Sequence, residues 1–377
     1  MAESKRLVDL VQACIDQFLT EQEGPLDSVS TDLLPYLDFS RSLVQGGKRF
    51  RALFCYWGWQ AVSGDGAELL AHQTATLTDA RADQLRAVVS AAGALELFHA
   101  AALVHDDIID SSDTRRGQPA AHRRFEALHE ASGWRGDAAL FGRSGALLLG
   151  DLLLGWSDEL LDQGLRALGD AGAGATARRE FNRMRMEVTC GQYLDILEEH
   201  SWGSRDEADL LARAHRVVVY KSAKYSVESP LAIGGAIGQG TIGQISALRE
   251  FGLPLGVAYQ LRDDLLGVFG DPEVTGKPAG DDLREGKRTV LIALARAKLP
   301  GNSTRLLDEL LGDPTLDAQQ VRMLQASIRD SGAVEHVERI IAHNVNKARS
   351  AIETAPISAA ALRQLGQLAD TASRRAS

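Results

Sequence analysis

The chain is poor in cysteine, in positive charge and in strand-like patterning. Its three cysteines, Cys14, Cys55 and Cys190, stand far apart among 377 residues without a CxxC pair. That spacing excludes a disulfide framework and a cysteine-ligated zinc site, and points to a cytoplasmic, reducing setting. Lysine and arginine number 41 against 51 aspartates and glutamates, a formal charge of −10. No basic stripe offsets this balance, so nucleic acid is not an expected partner. No alternating apolar–polar run is bounded by hairpin turns, and no repeat of solenoid length is visible. The amino-terminal MAESKRLVDLVQACIDQFL begins polar and turns amphipathic, unlike a signal peptide. No later run approaches a membrane span, so a soluble chain with no transmembrane segment is expected.

Helical patterning is plentiful. Hydrophobic residues make up 45% of the chain and charged ones 24%, a globular composition large enough for one large core or two modest ones. Apolar positions recur at three- and four-residue spacing, which predicts an all-α fold with helices over roughly 5–20, 48–63, 84–111, 145–169, 176–200, 206–228, 243–269, 288–298 and 335–353. The polar stretch Ser63 to Asp83, the Ala/Gly-rich Gly169 to Ala177 and the Gly/Pro-rich Gly270 to Gly286 read as loops.

Two aspartate clusters interrupt these apolar helices: Asp106, Asp107 and Asp110 in HDDIID, and Asp263 and Asp264 in QLRDDLLGVFGD. Carboxylates beside a buried helix face are costly unless paired or metal-bound, so facing clusters suggest divalent cations and an anionic ligand such as diphosphate. On an ideal helix Asp106 and Asp110 share a face, with His99 about 20° off the same stripe. Ala94, Phe98 and Ala101 would line an apolar flank leading away from the carboxylates. Two guanidinium groups, Arg115 and Arg116, follow one short loop later and suit diphosphate oxygens. Gly46-Gly47-Lys48-Arg49-Phe50-Arg51 opens another helix, where glycines let backbone amides approach an anion. Lys277 and Lys287 sit in GKPAGDDLREGKRT, a segment able to close over an anion. Gln260 shares a helix face with Asp263, and Gln192, Asp195, Lys221 and Ser222 are polar residues in apolar settings. Each piece alone is a weak signal. A bare DDxxD also fits a solvated helix face.

Their order is more telling. GGKRFR, a histidine seven before DDxxD, DDxxDxxxxRRG, GQxxD, a Lys-Ser-Ala triplet, and QxxDD followed by lysines resemble the trans-isoprenyl diphosphate synthases, or polyprenyl synthetases, from about Gly46 to Thr289. The resemblance is nearest to geranylgeranyl diphosphate synthases. It implies a single domain over 1–377 with a motif-bearing core near 46–289 and packing helices near 300–355, formed as a bundle of long helices around a deep central cavity, usually as a homodimer. It further implies that Asp106, Asp110 and Asp263, supported by Asp107 and Asp264, hold Mg²⁺, about three ions per site when diphosphate is bound. Arg115, Lys221 and Lys277 would hold the allylic diphosphate, which is dimethylallyl, geranyl or farnesyl diphosphate, and Lys287 would be a further substrate-binding residue. Isopentenyl diphosphate would sit against Lys48, Arg51, His99 and Arg116. Gln192, Gln260 and the Ser222 carbonyl would lie near the reacting carbons.

The implied reaction is a head-to-tail prenyl transfer in which cationic groups stabilise departing diphosphate. In this family the residue five before DDxxD commonly floors the product cavity. Here it is Ala101, beside Ala102, with Phe98 about 4.5 Å further along the helix. A C20 product, geranylgeranyl diphosphate, is therefore expected, with farnesyl or longer products as alternatives. Terpene cyclases pair DDxxD with an Asn/Ser/Glu metal motif that is absent. Head-to-head condensing enzymes need no separate isopentenyl site. A non-catalytic prenyl-diphosphate-binding regulatory subunit usually lacks aspartates or basic ligands, whereas here only Gly267 stands where the fuller pattern has an aspartate.

Overall fold

The computed structural model describes residues 2–63, 79–115, 117–271 and 280–373. Its all-α character matches the periodicity, with 82% of the chain helical. Among the described residues strands are confined to a hairpin, β1 Thr114–Arg115 paired antiparallel with β2 Gln118–Pro119. The helices are α1 Ala2–Glu21, α2 Glu23–Val29, α3 Leu34–Leu43, α4 Phe50–Val62, α5 Asp79–Ile109, α6 Ala121–Ala131, α7 Ala138–Arg166, α8 Ala171–Ser201 and α9 Glu207–Val217. A π-helical segment, Val218–Glu228, follows. Then come α10 Ser229–Ile237, α11 Ile242–Phe269, α12 Asp281–Glu285, α13 Val290–Arg296, α14 Gly301–Leu310, α15 Ala318–Asp330, α16 Ala333–Glu353 and α17 Ala359–Ser373.

Several local expectations are corrected. The Ala/Gly-rich stretch is not a loop through Ala177. Asp170 Oδ1 accepts from the amides of Gly172 and Ala173 at 2.7 and 3.0 Å and starts α8 there, because alanine favours helix enough to carry the neighbouring glycines. The loop expected through Gly286 contains α12, and the helix expected over 206–228 changes to π geometry at Val218. Positions 64–78 and 272–279 of the expected loops lie outside the described residues.

The chain divides into two compact units, one of Met1–Arg178 with Pro230–Thr241 and one of Arg179–Ser229 with Ile242–Ser377. In the first, α5 packs along α7 and α4. Small residues bring these helices close. A Cβ on Gly164 would lie 2.4 Å from Ser90 Cβ, and one on Gly58 of α4 2.2 Å from the carbonyl oxygen of Leu231 in α10. Ala91, Leu95, Leu149, Leu153 and Leu161 are fully buried, each large apolar side chain adding about 1.5–3 kcal/mol. In the second unit, Leu261, Leu265 and Val268 of α11 share a core with Leu291, Val337 and Ile341.

Two stretches, Ala80–Ile109 and Ala138–Arg166, are long and apolar enough to cross a membrane by length and composition. This corrects the expectation that no run approaches that limit: alanine, leucine and glycine raise the average over a long helix without forming an unbroken apolar run. The apolar window of the first is 72% buried and that of the second 28%.

Candidate active site

The first aspartate cluster belongs to the first unit and closes α5. The amide of Asp110 donates to Asp106 O at 2.8 Å, and that of Ser112 to Asp107 O at 2.9 Å. Ser111 then takes a left-handed φ of 54°, and the tight reversal sends β1 back toward the helix end. Arg115 thereby reaches the carboxylates. Its Nε donates to Asp107 Oδ1 at 2.9 Å, its Nη2 binds the same oxygen, and Nη2 stands 3.6 Å from Asp106 Oδ2. The Asp107 side chain is only 3% exposed, so a guanidinium partner offsets the cost of its buried charge. Arg116 lies outside the described residues.

Upstream on α5, His99, Ala102, Leu103, Asp106 and Asp110 all keep partial exposure, as one helical stripe should. Ala101 is fully buried, Phe98 nearly so, and Ala94 fully. Of the residues expected to bound the product, Ala102 is thus the one on the same partly open stripe as the carboxylates.

The basic loop before α4 is built by backbone geometry. Gly46 and Gly47 have φ of 71° and 80°, and Arg49 is itself left-handed at 50°. Such a conformation is costly for a side-chain-bearing residue and persists where contacts enforce it. Here the buried Arg49 guanidinium donates to Glu96 Oε2 at 3.1 Å and also binds Gln12 and the Val44 carbonyl. Glu96 lies one turn before His99, and its other oxygen accepts from the Ala52 amide at 3.4 Å. Lys48 is exposed and Arg51 partly so. A single ion pair therefore ties GGKRFR to the helix that carries His99 and the first cluster. Nothing in the local sequence distinguished Arg49 from its basic neighbours.

The second cluster and its basic companions lie in the second unit. The π-helical segment carrying Lys221 and Ser222 is met closely by α8 and α11: a Cβ on Gly191 would lie 2.3 Å from Lys221 N, and one on Gly256 2.4 Å from Ala223 O. Across the first of these approaches Lys221 Nζ donates to Asp195 Oδ2 at 2.5 Å, and Lys224 Nζ to Glu187 Oε1 at 2.7 Å. Gln192 and Ser222 are both partly exposed.

On α11, Gln260 Nε2 donates to Asp264 Oδ1 at 2.8 Å. Asp264 is 5% exposed, and its Oδ2 is buried without a hydrogen-bond partner. Burial, reinforced by Asp282 and Asp263, lifts its carboxyl to about 8, while the Gln260 hydrogen bond and Lys287 act the other way. Asp263 is partly exposed. Lys287 Nζ lies 2.5 Å from Glu285 Oε2 and 3.8 Å from Asp282 Oδ1. Lys277 lies outside the described residues.

Among the described residues no three His, Cys, Asp or Glu side chains form a preassembled metal site. The donor chemistry nevertheless suits Mg²⁺, a hard cation that takes carboxylate oxygens and keeps waters. The orphaned Asp264 oxygen, buried among like charges, is the kind of atom that a nearby cation would satisfy.

A model of the polyprenyl synthetase family matches residues 36–328. The geranylfarnesyl diphosphate synthase of Aeropyrum pernix is 31% identical over 313 residues, covering 82% of this chain and 84% of that protein. The geranylgeranyl diphosphate synthase of Mycobacterium tuberculosis is 27% identical, covering 88% and 82%. Among solved structures, the geranylgeranyl pyrophosphate synthase from Corynebacterium glutamicum, complexed with isoprenyl diphosphate and magnesium, has a TM-score of 0.87 at 36% identity, covering 98% of this chain and 99% of that one.

Proposed function

The chain belongs to the polyprenyl synthetase family of trans-prenyl diphosphate synthases, and from that premise we propose that it condenses isopentenyl diphosphate with an allylic diphosphate, head to tail, to give geranylgeranyl diphosphate. The observation that carries the reading is the end of α5, where Arg115 forks onto Asp107 within 3.6 Å of Asp106 beside a partly open stripe led by His99. An acidic and basic pair of this kind serves a ligand that brings both metal and phosphate.

The allylic C–O bond breaks with its electron pair leaving on diphosphate. The isopentenyl double bond attacks the resulting cation, a C–C bond forms, and a proton departs to the released diphosphate. Asp106, Asp110 and Asp263, with Asp107 and Asp264 in support, would hold Mg²⁺, whose charge would offset that of the diphosphate oxygens. Arg115, Lys221, Lys277 and Lys287 hold the leaving group as its charge develops. Asp107 and Asp195 hold the Arg115 and Lys221 side chains in place, which lowers the number of rotamers lost on binding diphosphate. Lys48, Arg51, His99 and Arg116 receive isopentenyl diphosphate, and Gln192, Gln260 and the Ser222 carbonyl face the cation.

For chain length, Ala102 shares the partly open stripe of α5 with the carboxylates, while Phe98 is packed into the core rather than standing as a stop on that stripe. The Mycobacterium and Corynebacterium relatives, both named geranylgeranyl synthases, favour C20. Incubating the protein with labelled isopentenyl diphosphate, farnesyl diphosphate and Mg²⁺ should give a C20 alcohol after dephosphorylation. Asp106→Asn should lower that rate by about 10²–10³. No diphosphate release by the wild type would sink the enzymatic reading, and products of C15 or beyond C20 alone would sink the chain-length assignment.

The apolar face of α7, with Leu140, Leu147 and Leu148 each at least 50% exposed, supports a homodimer in which a second copy covers that helix.

A further inference from the structure

Arg49 stands among the basic residues of the loop before α4, yet its guanidinium is turned inward and engaged by protein partners. Its side chain is 3% exposed and that of Glu96 7%. Nη1 donates to Glu96 Oε2 at 3.1 Å, and Nη2 binds both Gln12 of α1 and the Val44 carbonyl. The other Glu96 oxygen completes the start of α4. Arg49 is the N-cap residue of that helix and its side chain makes no capping bond, so the amide of Ala52, third residue of the helix, meets Glu96 Oε1 at 3.4 Å instead. A carboxylate from α5 thus caps α4, where its charge also complements the helix dipole.

The residues on either side of this carboxylate give the pair its meaning. Lys48 precedes Arg49 and Arg51 follows two positions later, while His99 comes three residues after Glu96, its neighbour on one face of α5. We propose that Arg49 and Glu96 are positioning residues for isopentenyl diphosphate: without touching it, they fix Lys48 and Arg51 against His99, and Gln12 extends that support to α1. The inference rests on the family reading given above and adds residues to it. The left-handed backbone of Arg49, φ 50° and ψ 39°, makes the support necessary, because a residue with a side chain keeps that conformation only where its surroundings over-determine it. Once the pair is broken, the loop relaxes toward ordinary φ and carries Lys48 and Arg51 away from His99. The competing explanation is that the pair serves stability alone.

Steady-state kinetics discriminate between these roles. Initial rates of the full-length protein with Mg²⁺ are measured against isopentenyl diphosphate at saturating geranyl diphosphate, and the reverse. Arg49→Met removes the fork. Glu96→Gln keeps the side-chain shape and an acceptor for the Ala52 amide but loses the charge, and it is read alone if Arg49→Met does not fold. Each should raise KM for isopentenyl diphosphate by about 10–100-fold, as small displacements of binding groups do, and leave KM for geranyl diphosphate within about threefold of the wild type. A role in stability alone lowers the folded fraction, which cuts the apparent kcat and leaves both KM values unchanged. That result, or an equal rise in both KM values, overturns the proposal. If the wild type forms no product from these two substrates, the family reading falls; if it does and the variants keep wild-type KM values, only this inference falls.

Discussion

At the scale of the residue, Asp264 has the most to say about conditions. Its carboxyl is raised to about 8 in the folded chain, chiefly by burial, against 3.8 for the ordinary group. Between these values the native state holds a proton that the unfolded chain releases, so this group's contribution to stability is fully present below the unfolded value and is lost as pH rises toward 8. With EDTA present, unfolding free energy should fall by up to about 1.4 kcal/mol per pH unit across that window, the limit for one proton. Asp264→Asn cannot ionise, so urea titrations at several pH values should show a flatter profile for the variant. An unchanged slope would remove Asp264 as the source. That this residue is special was visible only in outline. The DD pair marks it as an acid in an apolar helix, but which of the two is buried depends on what packs over α11. Arg49 makes the same point more sharply: one of several adjacent basic residues in sequence, it is the one that turns inward to Glu96.

Elements show where periodicity succeeds and where it stops. Long amphipathic helices such as α5, α11 and α16 were legible because their apolar stripes repeat over many turns. Short ones, α2, α3, α6 and α10, were not, because seven to eleven residues hold too few repeats to separate helix from loop. The π geometry of Val218–Glu228 left no trace in composition. It is held by the close backbone approaches of Gly191 and Gly256, and π segments are often found at functional sites. Gly191→Ala and Gly256→Ala should each cost about 1–3 kcal/mol, since the added methyl meets backbone and cannot be relieved by a side-chain rotation. Both should also reduce prenyl transfer by displacing Lys221. Gly366 of α17 has no atom within 4 Å of its would-be Cβ, so Gly366→Ala should be neutral or stabilising by up to about 1 kcal/mol. Equal effects at all three glycines in thermal melts would refute the packing argument.

For the whole molecule, the open question is what covers α7. Leu140, Leu147 and Leu148 recur at seven- and eight-residue spacing on one face, and the most apolar window of that helix is only 28% buried. A second copy is the simplest cover, since closed dimers join a surface to itself. The wild type should run as a dimer in light scattering after size exclusion, and Leu147→Glu with Leu148→Glu should shift it to monomer, because two carboxylates cannot be buried there unpaired. A monomeric wild type at micromolar concentration, or a variant that stays dimeric, would reject this assignment.

The sequence by itself determined the helical class and the family. Both follow from local information: apolar spacing reports helix, and motifs in a set order report a shared reaction even when each is weak. Only the tertiary structure decided the partners. That Arg115 grips Asp107, that Lys221 meets Asp195, that Arg49 is buried on Glu96 and that Asp282 fills the space beside Gly267 all depend on contacts of a few ångströms between residues separated by 8 to 47 positions. Such interactions fall off steeply with distance, and chain spacing does not record which side chains packing brings within reach.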